Sequence, residues 1–354
     1  MTVPLAKPAG LLATYALLGL GVAAAAAPSP GGNGPREWLE KMNTALASRN
    51  YDGTFFHLSD GRVETMRIVH RVRAGRVTER LMSLDGSGRE FVRNNDELTC
   101  YLPDKNTILV EPRQSNSPFL GSLPQFGSGV EQYYWLETLH GTRVLGRPVH
   151  GIAVTPRDQF RFGYRLWLDE QTAMPLKTQL CDSGGRVIEQ IQFAHLQMPD
   201  NIPDSELVPA MPVAGMRVVR HGNHAESTAG GAGFRATDLP PGFHLTMAGP
   251  QVLGGNGDPV MHLVYSDGLA TVSVFVEPGL TNAPAEVMRA NAEDASPPAP
   301  ADRPGESLAR IGSGFAFSTV VQGHQVTAVG EVPAQTVEFI AHSVRLGGPA
   351  SLPR

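Results

Sequence analysis

Two cysteines, Cys100 and Cys181, are all the chain contains, too few for a zinc site built from thiolates. There is no G-x-S-x-G nucleophile elbow, no P-loop and no H-E-x-x-H helix, so three common ways of placing a nucleophile, a phosphate or a catalytic metal are missing. The glycine pairs near 127, 254 and 312 lack the further glycine or the strand–helix setting of a dinucleotide loop. Eleven histidines are scattered with no two four apart, which argues against a helical metal site. His221 and His224, the one close pair, sit in sequence rich in Gly and Ala and read as solvated. Asp200 and Asp204 fall in a Pro-containing loop, and Ser266-Asp267-Gly268 reads as a tight turn. A net charge of −5 and a pI near 6.1 remove any general attraction for nucleic acid. These absences lead to the expectation of a binding protein with no cofactor rather than an enzyme, a hydrolase whose site is assembled from distant residues being the remaining enzymatic reading.

Long apolar runs are also missing, except near the start. Residues 1–27 carry one charge, Lys7, then an apolar stretch, then Ala25-Ala26-Ala27 before Pro28. This pattern is that of a secretory signal peptide cleaved at an A-x-A site. The expected mature chain is soluble and exported from a bacterial cell, an uncleaved membrane anchor being the competing reading. In such an oxidising compartment two readings of the cysteines stand. They form a disulfide, whose loop of about 80 residues would add roughly 4 kcal/mol in the chain-entropy model, or they are two separate buried thiols.

What is present is regular alternation. Of the 354 residues 41% are apolar and 18% charged, a globular balance at a length that suggests two domains. Pro35 opens a helix whose Trp38, Leu39, Met42 and Leu46 share a face. From Tyr51 the period becomes two. YDGTFFHLS, RVETMRIVHRV, RVTERLMSL, REFVRN, ELTCYLP and TILVEP follow one another, separated by SDG, RAG, DGSG, NND and PDKN. Short strands with tight turns predict an antiparallel meander, since parallel strands need crossover helices. After 114–136 the meander resumes and ends with YRLWLDEQTAMPLKTQL and RVIEQIQFAHL. Residues 28–205 are thus expected to form one large domain built on a curved antiparallel sheet. A linker follows at 206–233, and then a smaller α+β domain at 234–348. The smaller domain should hold five strands, a helix candidate and a Pro/Ala-rich loop near 281–307, and a final helix burying Val337, Ile340, Ala341 and Val344.

An open meander leaves a face that a helix, a lid or a ligand must cover. The segment 114–136 is a long, unusually apolar loop with a helical turn expected near 130–139. Its Phe119, Leu120, Leu123, Phe126, Tyr133, Tyr134 and Trp135 are candidate lipid- or partner-binding residues, with core packing the competing explanation. Arginines from Arg62 to Arg93 form a second candidate patch, for lipid phosphates.

The chain resembles the RseB/MucB family of periplasmic sigma-E regulators. The likeness is carried by WLEKMNTALASRNYDGTFFH, MSLDGSGREFVRNNDELTCYLP, YRLWLDEQTAMPLKTQLCDSGGRVIEQIQF, LPPGF, VYSDGLATVSVFVE and VTAVGEVPAQTVEFIAHSV, in family order over most of the mature chain. The resemblance implies a mainly β, α+β protein. Its N-terminal half β-barrel would resemble LolA and LolB, with helices on the concave face, and a smaller C-terminal domain would follow. It implies a non-enzymatic regulator that binds the periplasmic region of a single-span anti-sigma factor of the RseA/MucA type and shields it from site-1 proteolysis. Lipid or lipopolysaccharide would release that shield. A homo-oligomer is compatible with this picture, and a lipid or lipoprotein carrier of the LolA/LolB type is the alternative. The loop near 281–307 is longer and richer in Pro and Ala than the family pattern.

Overall fold

Asp60 and Gly61 both take positive φ, 52° and 75°. Such a two-residue turn joins strands with the twist of a hairpin, and SDG becomes the first corner of a meander. Strands β1 (Tyr51–Ser59), β2 (Arg62–Arg73), β3 (Arg76–Ser83), β4 (Glu90–Asn94), β5 (Glu97–Leu102) and β6 (Thr107–Pro112) follow in order. A second run comprises β7 (Tyr134–Val144), β8 (Arg147–Pro156), β9 (Gly163–Asp169), β10 (Pro175–Cys181) and β11 (Val187–Gln197). The two runs fuse because β11 returns to pair antiparallel with β1. The computed structural model describes residues 34–86, 88–94, 97–112, 126–127, 129–220, 233–252, 259–277, 299–300 and 305–347. Phe119, Leu120, Leu123, residues 1–33, most of the Gly-rich stretch after Arg220 and the helix candidate after 281 lie outside them.

With β12 (Arg217–Arg220) added, the resulting sheet has twelve strands in the order β12-β6-β5-β4-β3-β2-β1-β11-β10-β9-β8-β7. Its two edge strands do not meet, so it stays open as expected. Helix α1 (Pro35–Ser48) buries Leu39, Met42, Ala45 and Leu46 against one face. Each larger side chain there contributes about 1.5–3 kcal/mol by removal from water. The alternation read in YRLWL holds, with Tyr164, Leu166 and Leu168 buried and Arg165 and Trp167 less so, but it ends at Asp169, which is buried as well.

Two expectations are corrected, and of the two readings of the cysteines the structure has the separate buried thiols. The helical turn expected at 130–139 is a single 3₁₀ turn at Val130–Gln132, after which Tyr134 starts β7. Trp135 and Leu136 pair with Thr155 and Val154 there, because aromatic and branched side chains suit a pleated surface. Residues Arg217–Arg220, expected within the linker, form β12 and pair parallel to β6. The cysteines do not form a disulfide with each other. Cys100 lies on β5 and Cys181 on β10, with five strands between them. Six strand spacings amount to roughly 29 Å along the sheet, whereas a disulfide needs Cα atoms within about 7 Å.

The arginine patch is largely neutralised within the sheet. Arg67 meets Asp52 and Glu206, Arg71 meets Asp204, Arg80 meets Glu90, and Arg89 meets Glu64. One row is fully buried. Tyr51, His70, Glu79 and Arg93 are register partners across β1, β2, β3 and β4. The Tyr51 and His70 rings stack at 4.4 Å, and Arg93 Nε lies 2.8 Å from Glu79 Oε2. His70 Nδ1 is 2.9 Å from the Arg49 carbonyl oxygen, and burial pushes the imidazole down to about 4, so the ring is neutral and donates there.

A second sheet of seven strands follows, built from β14 (His244–Val252), β15 (Pro259–Ser266), β16 (Thr271–Glu277), β17 (Ala299–Pro300), β18 (Ser307–Ile311), β19 (Gly314–Val321) and β20 (His324–Gly330). Its order is β14-β15-β16-β20-β19-β18-β17. Helix α2 (Ala334–Ser343) packs on β19 and β20 and buries Val337, Ile340 and Ala341; Val344 follows at the start of β21 (Val344–Leu346), which pairs with β13 (Phe234–Ala236). This core is separate from that of the large sheet. Yet Leu269 and Phe315 of the small domain pack against the large domain's core, so the junction is a built interface.

Candidate functional site

The site is that junction. The loop between β8 and β9 supplies one side of it. The Phe160 carbonyl oxygen accepts a hydrogen bond from Thr336 Oγ1 at 2.8 Å, and the Gln159 carbonyl oxygen accepts from Gln335 Nε2. The Phe160 and Phe339 rings lie 5.5 Å apart. Both α2 residues stand at the start of their helix, so the large domain grips α2 by its first turn.

Arg161 is the centre. Its side chain is completely buried. Its Nη2 donates to the Pro241 carbonyl oxygen, and its Nε lies 3.1 Å from Asp267 Oδ2 without hydrogen-bond alignment, an ion pair across the junction. The guanidinium carbon is 4.9 Å from the Tyr133 ring, 5.6 Å from Tyr134 and 5.2 Å from Phe243. Tyr134 donates its hydroxyl to Asp267 Oδ2 at 3.2 Å, and burial followed by that carboxylate pushes the phenol well above its usual value. Asp267 Oδ1 meanwhile accepts the backbone N–H groups of Leu269 and Ala270. The Ser-Asp-Gly segment is therefore the expected turn, and the turn aims a carboxylate at the other domain.

Gly242 takes φ +86° and a Cβ there would overlap the Tyr133 ring. Gly242→Ala is expected to cost about 2 kcal/mol, from left-handed strain plus overpacking. A urea midpoint within error of the parent's would show that the ring is not held at this spot.

A second contact joins β1 and β11 to the small domain. His57 Nε2 lies 3.2 Å from Glu189 Oε1, and Ser313 Oγ donates to Glu331 Oε1. The Glu189 and Glu331 carboxyls interact with each other. They line a small, partly open pocket of about 10 Å³ with Tyr164, Thr178, Leu180 and Ile191, the lower limit for one water. Burial, then the charge of Glu189, pushes Glu331 up to about 7. Burial opposes ionisation of Glu189, but the hydrogen bond from His57 holds it below the usual carboxylate range.

The described candidates from the aromatic segment divide between core and surface. Phe126 and Tyr134 are core side chains, Tyr133 is part-buried at the junction, and Trp135 is 54% exposed beneath the Arg157 guanidinium. Sequence reasoning passed over Arg161, Asp267, Glu189 and Glu331. A signal existed for Glu189, which falls in phase with Ile191 and Phe193 on the apolar side of β11. A carboxylate at a core position requires a partner.

Two β domains locked by charged and aromatic contacts, with no candidate metal cluster among the described residues, define a two-domain binding scaffold. The chain belongs to the MucB/RseB family: residues 34–211 match the MucB/RseB N-terminal domain and residues 228–345 the MucB/RseB C-terminal domain. It is 32% identical to the "Sigma factor AlgU regulatory protein MucB" of Pseudomonas aeruginosa over 315 residues, 87% of this chain and 90% of that one. It is 26% identical to the "Sigma-E factor regulatory protein RseB" of Escherichia coli K12 over 316 residues, 87% and 90% of the two chains. Among solved structures, MucB in the Pseudomonas aeruginosa MucA/MucB complex superposes with a TM-score of 0.66 at 31% identity, covering 89% of this chain and 99% of that one.

Proposed function

We propose that this chain is a negative regulator that binds the periplasmic region of a membrane anti-sigma factor of the MucA/RseA type and shields it from site-1 proteolysis. The observation that carries this reading is the likeness, over 89% of the chain, to MucB crystallised with the periplasmic part of MucA. The site of action is the periplasm, reached through the signal peptide expected at residues 1–27. Among the described residues no helix is long and apolar enough to cross a membrane.

Lipid or lipopolysaccharide releases the partner by preferring a different arrangement of the two domains. Coupling of this kind needs only differential affinity, and it is reciprocal: each ligand weakens the other by the same factor. The test is calorimetric titration of the chain from Pro28 with the periplasmic segment of the anti-sigma factor of the same organism, with and without lipopolysaccharide. Binding that lipopolysaccharide weakens at least about fivefold is expected, the low end of allosteric coupling. Lipopolysaccharide binding without any binding of the segment would replace this reading by that of a lipid carrier.

A further inference from the structure

We infer that Glu189 and Glu331 share a single proton across the domain junction, so that docking of the two domains takes up a proton and their separation releases it. This rests on the junction alone and holds whatever partner the chain binds. The two carboxyls come from different domains, Glu189 from β11 of the large sheet and Glu331 from the segment between β20 and α2. They line one small pocket, with Glu189 buried and Glu331 half-buried, and interact directly with each other. Two carboxylates cannot both stay charged at hydrogen-bonding distance in a site withdrawn from water. One must be protonated to donate, and the environment selects which.

His57 Nε2, 3.2 Å from Glu189 Oε1, stabilises charge on Glu189, while Glu331 is flanked by that charge, so Glu331 holds the proton. The surrounding groups add little positive charge. His57 on β1 faces Glu189 and feels Glu64 of β2, which is itself engaged by Ser83 and Arg89. Tyr164 of β9 lines the same pocket and feels the Asp267 charge, with its phenol pushed well up by burial and then by Glu331. The cross-domain pair Arg310–Asp60, 3.5 Å apart, is already mutual. Among the described residues no arginine or lysine is paired with Glu189 or Glu331.

The sign follows from which state holds more protons. Glu331 sits near 7 when docked and returns to an ordinary glutamate value of about 4.3 when the domains part. The docked state is therefore fully favoured below that ordinary value, and the preference is lost as pH rises toward 7. Across this window the docked-to-separated ratio falls about tenfold per pH unit. Any ligand that opens the junction is correspondingly helped by rising pH, and release is harder in acid.

Infrared spectroscopy of the full chain reads the proton directly. A protonated-carboxyl band is expected at about pH 6 that titrates away by about pH 8 and is absent in Glu331→Gln. That variant, whose amide still donates to Glu189, should stay docked as pH rises, with a thermal midpoint less sensitive to pH than the parent's. If it fails to fold, Glu189→Gln serves: removing the neighbouring charge should move the band's midpoint down toward an ordinary glutamate. No such band at about pH 6, or a band unchanged in both variants, would overturn the shared proton. Because no partner is present in these measurements, their failure leaves the regulator reading standing, and the titration with the anti-sigma segment tests that separately.

Discussion

Replacing Arg161 by methionine is expected to lower the stability of the docked protein by about 3–5 kcal/mol, the cost of leaving one member of a buried ion pair alone. The side chain is completely buried and meets Asp267 from the other domain at 3.1 Å. Methionine fills much of the volume but carries no charge. Asp267 would keep the Leu269 and Ala270 amides and the Tyr134 hydroxyl, so its carboxylate would be partly satisfied and unpaired. The Pro241 carbonyl oxygen would lose its donor, and three aromatic rings would lose a cation. The double variant Arg161→Met/Asp267→Asn removes both charges while asparagine keeps an oxygen for the turn. It should fall short of the summed single effects, with a coupling of about 2 kcal/mol. Urea denaturation measures all four proteins, and small-angle scattering reports whether the domains part. Additive effects, or a single variant within about 1 kcal/mol of the parent, would mean that the pair does not hold the junction.

Arg93→Met is the second large effect, and it belongs to one domain only. Arg93 and Glu79 are 3% and 0% exposed at the side chain, and 2.8 Å separates Nε from Oε2. Loss of the guanidinium leaves a carboxylate in a row it shares with neutral His70, whose Nε2 is 3.6 Å from Glu79 Oε1. Destabilisation of about 3–5 kcal/mol is expected. Two outcomes separate it from Arg161→Met. The added substitution Glu79→Gln should restore much of the loss, since an amide carries no charge to strand. The domain separation in native conditions should also stay that of the parent, because all four residues of the row lie on β1 to β4. A scattering profile opened to the same degree as that of Arg161→Met would contradict this placement.

The two arginines show where sequence stops being informative. Alternation, turn composition and the helix faces of α1 and α2 were legible because each is a local property. A strand's period of two or a helix's three-and-four spacing needs no knowledge of the rest of the chain. Glu189 and Glu79 could be seen to occupy buried phases of their strands, but nothing nearby says whether arginine, histidine or another carboxyl will meet them. Arg161 lies in a β8–β9 loop that reads as ordinary polar sequence, and Asp267 in a turn that explains itself.

By itself the sequence determined a mainly β chain of two cores, opened by a helix, closed by a helix, and without a catalytic motif, together with its family. The tertiary structure alone decided that β11 closes on β1, that β12 extends the sheet, and that the cysteines stand six strand spacings apart. It also decided that Arg161–Asp267 and Glu189–Glu331 face each other across the junction. The physical reason is range. Strand and helix patterns are written in neighbours a few residues apart, whereas pairing and docking join residues more than a hundred positions apart, chosen by which surfaces remain uncovered once the local elements exist.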